Sequence, residues 1–328
     1  MLQYIARRTL LIIPTLLVVS IVAFIIIQLP PGDFLTSYTA RLASTGETID
    51  QALLEALRAR YGLGEPIYVQ YWKWIVGIVT RGDFGDSFLW NQPVKVLIWE
   101  RLGLTLAISI STLLFTWAVA FPIGIYSAVK KYTVGDYLST TIGFIGLATP
   151  NFMIALILMW VSFRYFGVTV GGLFSQQYIS APWSIDKVID LFKHLWVPAV
   201  ILGVSGAAGL IRVMRANLLD ELHRPYVVTA RSKGLPELNL IMKYPVRMAL
   251  NPFVSTVGWT LPALVSGETI VATVLALPTA GPLLLQALMA QDMYLAGAFI
   301  MLLSLLTIVG TLVSDILLAV LDPRIRYE

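Results

Sequence analysis

Glu268 is the clearest charge inside an apolar run, two residues after Ser266. A carboxylate in such a setting is costly unless it faces protein or a water-filled cavity, so it is a candidate for a solute path. The alternative is a structural partner for Arg164 or for the amide of Asn151. Glu268, Ser266 and Asn151 are therefore the candidate translocation path or gate residues. Asp315, near the end of the last apolar run, reads as interfacial. His194 and His223 have no second His or Cys at ligand spacing, so no metal site is expected. The absence of Cys removes disulfides, thiolate ligands and thiol nucleophiles. Ser, His and Asp occur without a nucleophile motif, and no residue is expected to be catalytic. A G-x-x-x-x-G-K-[ST] phosphate loop is missing too, so the chain lacks the backbone cradle and lysine that hold nucleotide phosphates.

The elements that must position these residues are set by composition. Of 328 residues 57% are hydrophobic and 13% charged, and the mean hydropathy is +0.78, which excludes a water-soluble domain of ordinary usage. Apolar runs of about twenty residues match the length a helix needs to cross a bilayer. Six are expected, at residues 9–29, 102–129, 137–163, 196–213, 252–277 and 294–321. The first follows Arg7 and Arg8 and lacks a small-residue cleavage site, so it reads as a retained anchor. The net charge of +4 and a pI near 9.2 come from Lys and Arg confined between apolar runs, where they act as topology signals. No nucleic-acid surface is indicated. Short loops rich in Lys130, Lys131, Arg212, Arg215, Arg231 and Lys233 place both termini on the cytoplasmic side of an all-α membrane protein. The organisation expected is 1–29 as cytoplasmic start and first span, 30–101 as an extracytoplasmic segment, and 102–328 as a five-helix core. Pro14, Pro122, Pro150 and Pro262 are expected to kink their spans.

Two segments outside the spans carry pattern. In 30–101, Thr48-Ile-Asp-Gln51 has capping-box spacing, and a second short helix is expected from Pro66, with Tyr71, Trp72, Trp74 and Ile75 offering aromatic area at the lipid interface. The segment is either a cap on the bundle or a contact for an extracytoplasmic partner. The cytoplasmic loop 217–251 has Pro225 at a helix start and Gly234 at its end, with Tyr226 and Ala230 expected on the face shared with Leu222. Pro236 starts a second short helix carrying Leu238, Ile241 and Met242. Two short helices joined at a glycine form a stiff knob that either docks on a soluble partner or lies on the membrane surface.

The stretch Tyr226-Val-Val-Thr-Ala-Arg-Ser-Lys-Gly234-Leu resembles the loop that permease subunits of dipeptide and oligopeptide ABC importers insert into their ATPases. Leu250-Asn251-Pro252 is similar to its closing element. Tyr61-Gly-Leu-Gly-Glu-Pro66, Arg81-Gly-Asp-Phe-Gly85-Asp-Ser87, Pro30-Pro-Gly-Asp33, Phe121-Pro-Ile-Gly124, Thr149-Pro150 and Asp322-Pro-Arg-Ile-Arg-Tyr327 extend the resemblance over nearly the whole chain. It implies a type I ABC importer permease fold in the cytoplasmic membrane. It also implies a second homologous permease chain, two ATPase subunits that bind the ATP and Mg, and an external substrate-binding protein. The residues implied to couple to the ATPase are Pro225, Tyr226, Thr229, Ala230, Arg231, Lys233, Gly234 and Leu235. Val228 stands where many such loops have a polar residue, and Ala272 where the family commonly has glutamate. Peptide is the solute the resemblance implies, with an oligosaccharide as the alternative. An ion-coupled secondary transporter is the distant one, since it would need paired intramembrane charges that Glu268 alone does not supply.

Overall fold

Long apolar runs with few breakers become long helices in the computed structural model, which describes residues 2–29, 35–36, 39, 51–61, 65–251, 253–254 and 269–321. The elements are α1 (Leu2–Gln28), α2 (Gln51–Tyr61), α3 (Ile67–Arg81), α4 (Val94–Val129), α5 (Val134–Ala148), α6 (Asn151–Phe166) and α7 (Ile185–Leu222). They continue with α8 (Pro225–Ser232), α9 (Glu237–Lys243), α10 (Pro245–Ala249), α11 (Thr269–Val274), α12 (Ala280–Met289) and α13 (Met293–Leu321). Among the described residues four helices are long and apolar enough to cross a bilayer, within α1, α4, α7 and α13. The pair α5 and α6 makes a fifth if it is one bent span. Of the expected run 252–277, residues 255–268 lie outside the described set, and with them Ser266, Glu268 and Pro262; α11 is its described end. The Thr48–Gln51 capping box also lies largely outside it.

One expectation about the spans is corrected, and two helices extend beyond their apolar runs. The run 137–163 is two helices bent by 98°. Pro150 has no N–H to give and pushes Thr149 out of the helical region, to φ −92° and ψ 120°, so the chain breaks there rather than kinking. Helix α4 starts at Val94, eight residues before the apolar run, and α7 starts at Ile185 rather than near Trp196. The first turns of α7 carry Asp186, Lys187 and Asp190, which hide the helix from a hydropathy reading, while Ser184 accepts from the Lys187 N–H and fixes its start. Pro198 is tolerated inside α7.

The chain divides into two compact units. One holds residues 2–103 with 279–308. Its core is aromatic and takes in the buried Trp74, which corrects the expectation that this ring faces the lipid interface, whereas Trp72 is exposed. The Phe24 ring lies 5.9 Å from that of Trp74 and 5.4 Å from that of Tyr71, whose hydroxyl meets Ser20 Oγ at 2.8 Å. Gly297 leaves room for the Trp74 indole, because a Cβ there would come within 2.9 Å of it. Asp292 is fully buried and caps α13. It accepts from Ser87 Oγ at 2.5 Å and from the Leu89 and Leu295 N–H groups at 3.2 Å each. Burial pushes its carboxyl above the ordinary aspartate value.

The other unit holds 104–278 with residues from 309 onward. Here α4 and α7 approach closely through small residues, as membrane helices do. Thr105, Ser109, Thr112 and Thr116 form a buried hydroxyl stripe on α4, and Thr116 Oγ1 donates to the Gly203 carbonyl at 3.4 Å. A Cβ at Gly203 would strike Phe115 at 2.4 Å, and one at Gly124 would strike Met214 at 2.7 Å. Leu191, Leu195, Ile201 and Leu275 pack in one cluster of this unit.

At the end of α11 the chain turns through Ala276, held at φ +51°, with the Leu277 N–H reaching back to the Ala272 carbonyl at 2.7 Å. The left-handed region costs a residue with a Cβ about 1 kcal/mol. Ala276→Gly is therefore expected to raise stability by about that amount, read as an upward shift of the thermal unfolding midpoint.

Candidate functional site

The loop between α7 and residue 251 is built by prolines and one glycine. Helix α7 ends at Leu222; His223 and Arg224 leave the helical region, and Arg224, at ψ 145°, caps α8 with Pro225 at its first turn. Lys233 closes α8, and Gly234 follows at φ +74°, with its N–H reaching the Arg231 carbonyl at 3.0 Å. This is the left-handed stop that glycine supplies without strain. Pro236 caps α9, and Pro245 begins α10, a third short helix that the sequence reading does not include.

One apolar cluster fixes these pieces. Val227, Ala230, Leu240, Ile241, Val246 and Ala249 are buried against Met214 and Leu218 of α7, and Leu235 packs at its edge. The inward face of α8 is thus Val227 and Ala230, which corrects the expectation for Tyr226: its side chain is partly exposed, and its hydroxyl donates to Glu221 Oε2. The change of face has a local cause. The break at His223 and Arg224 resets the helical register, so a face counted on from Leu222 does not carry into α8.

Across the Gly234 turn, Arg231 clamps Glu237 of α9 with Nε at 3.1 Å and Nη2 at 2.6 Å. The Arg231 guanidinium holds the exposed Glu237 carboxylate below its ordinary range. Thr229 Oγ1 bonds back to the Pro225 carbonyl at 2.9 Å. The outer surface carries Tyr226, Val228, Leu238 and Met242 as exposed apolar groups beside Arg231 and Lys233. Exposed apolar groups rimmed by charge on a stiffened knob suit contact with a protein or with the membrane surface.

Pro225, Tyr226, Thr229, Ala230, Arg231, Lys233, Gly234 and Leu235 are therefore brought together within one knob, with Ala230 and Leu235 on its inner side. The path candidates are not. Asn151 opens α6, half-buried, with Oδ1 unpaired among the described residues. Ser266 and Glu268 lie outside those residues. Arg164 is exposed in the last turn of α6. Among the described residues no cluster of His, Asp or Glu could hold a metal.

A second site was not in the sequence reading. Asp136, in the first turn of α5, is 2% exposed and accepts from Arg215 Nε at 2.9 Å and Nη2 at 2.8 Å, from the Tyr132 N–H at 2.9 Å, and from Ser127 Oγ. It ties the end of α4 and the start of α5 to α7, ten residues ahead of Pro225 in the chain. Its local trace in the sequence is Thr133-Val-Gly-Asp136, a helix-start pattern in which Thr133 accepts from the Asp136 N–H at 3.4 Å.

Two family descriptions cover this chain. "Binding-protein-dependent transport system inner membrane component" matches residues 120–327, and its N-terminal companion matches residues 1–109. The chain belongs to this family. It is a multi-pass cell-membrane permease subunit of a binding-protein-dependent transport system, and the knob falls within the 120–327 match. The permease is 36% identical over 328 residues to the oligopeptide transport system permease protein AppB of Bacillus subtilis, with all of both chains covered. It is 34% identical over 330 residues to the glutathione transport system permease protein GsiC of Escherichia coli K12, again with complete coverage. A putative peptide permease protein of Brucella ovis is 32% identical, with 99% of each chain covered.

Proposed function

We propose that this permease forms half of the path by which an ATP-driven importer takes peptides into the cell. The observation that carries the reading is likeness end to end: AppB and GsiC, whose names specify oligopeptide and glutathione transport, align with the permease over its complete length. Six spans with both termini in the cytoplasm, a second homologous permease chain, two ATPase subunits and an external binding protein complete the assembly. The 30–101 segment then faces outward, and 217–251 faces the ATPases. Without a phosphate loop the permease binds no nucleotide and catalyses nothing; ATP and Mg belong to the partner subunits.

In this reading the knob at 225–235 seats its apolar outer face in a groove of the ATPase. Closure of the ATPase pair moves the knob, and α7 passes that motion into the membrane, shifting the balance between inward-open and outward-open forms. Asn151, Ser266 and Glu268 line the path or its gate. Proteoliposomes holding the whole importer should accumulate labelled di- and oligopeptides only with ATP inside and the binding protein present. Uptake of an oligosaccharide but not of peptides would reject the solute; failure of the folded permease to co-purify with any ATPase would reject the machine.

A further inference from the structure

Between α5 and α7 runs a groove of about 310 Å³ whose two ends differ in chemistry. The helices are antiparallel in fixed register: Asp136 meets Arg215, Gly143 meets Ala208, and Gly146 meets Val204. Small residues on both helices leave a shallow floor, and Phe144 and Leu147 wall its far part. From residue 136 to 147 the groove extends about 16 Å at the helical rise, half the thickness of a hydrocarbon core.

The near end is polar and cationic. Tyr132 and Tyr137 line it, and Tyr132 is held in the left-handed region at φ +63° by the turn after α4. Asp136 and Arg215 cancel one another through their two hydrogen bonds. That leaves Arg212, exposed at the mouth, with no hydrogen bond or ion pair among the described residues. Lys131 lies over the Tyr132 ring, 5.6 Å from its centroid, and Lys130 precedes it, so the mouth carries an excess of positive charge.

We propose that this groove holds an anionic phospholipid of the cytoplasmic leaflet, with its phosphate at Arg212 and an acyl chain along Gly143, Leu147 and Ala208. It rests on the orientation proposed above. Arginine at the level where a spanning helix leaves the hydrocarbon reaches for phosphate, and basic pockets between spanning helices on the cytoplasmic side suit anionic headgroups. An apolar helix in the same place would bury Arg212 unpaired, which disfavours a protein occupant. A lipid meets both ends of the groove at once.

The test uses the assembled importer in nanodiscs of phosphatidylcholine with phosphatidylglycerol, with retained lipid counted by native mass spectrometry. The wild type should keep phosphatidylglycerol in preference to phosphatidylcholine. Arg212→Gln should lower its retention by about fivefold, while Arg81→Gln, an exposed arginine that is not among the residues lining the groove, should not. Equal retention in wild type and Arg212→Gln overturns the proposal, as does cross-linking of Thr140→Cys to the second permease chain. Orientation is read separately, from labelling of Lys131→Cys by an impermeant thiol reagent in right-side-out vesicles. Labelling there would reject the orientation and leave the lipid count standing as evidence of a headgroup site.

Discussion

Replacing Gly234 with valine should leave ATP hydrolysis running while peptide uptake falls, so that peptides imported per ATP drop by about tenfold. The argument is conformational. Gly234 sits at φ +74°, and a Cβ built there meets nothing within 4 Å, so the valine has room. What it lacks is a backbone well: a β-branched residue in the left-handed region is an outlier, and strain of about 1–2 kcal/mol shifts a two-state turn by a factor of about 5–30. The turn sets the angle between α8 and α9, and the Arg231–Glu237 clamp spans it. An altered angle spoils the match between the outer face and the ATPase groove without touching the nucleotide site. Gly234→Asn separates backbone from side chain, because asparagine tolerates this region, and it should couple nearly as well as the wild type. Both activities are measured in the same proteoliposomes. An unchanged ratio in a folded valine variant would reject the turn as the coupling hinge.

The knob is legible in the sequence because its devices are local. Pro225 and Pro236 set φ for a helix start, Gly234 permits the left-handed stop, and no distant residue is needed to read them. Side-chain facing is less local. Two residues outside the helical region, His223 and Arg224, move the buried face from Tyr226 to Val227, and no periodicity count across them can foresee it. Thr149-Pro150 announces a bend, but whether the chain kinks or turns through 98° depends on what packs against α5 and α6. The long helices α4 and α7 hide their first turns behind polar residues, so an apolar window sees only the part that lipid would surround. The Asp136–Arg215 pair is the extreme case: its partners are 79 residues apart, and each taken alone looks like an ordinary loop or topology charge.

Removing that pair's acid should be the most destabilising single change among the described residues of the α4, α5 and α7 junction. Asp136→Ala leaves the Arg215 guanidinium, the Tyr132 N–H and the Ser127 hydroxyl facing a site that is nearly closed to water. Truncating one partner of a buried ion pair costs about 3–5 kcal/mol. Arg215 keeps a 28% exposed side chain, so its charge is partly hydrated and the lower end, about 3 kcal/mol, is expected here. Arg215→Leu alone should also destabilise, because it strands the carboxylate. Combining it with Asp136→Asn should recover much of the loss, since neither charge is then left uncompensated. Thermal unfolding of the wild type, Asp136→Asn, Arg215→Leu and the double variant in one detergent closes the cycle. Strictly additive losses would mean that the two side chains stabilise the junction independently, and the bridge between α5 and α7 would then have no energetic content.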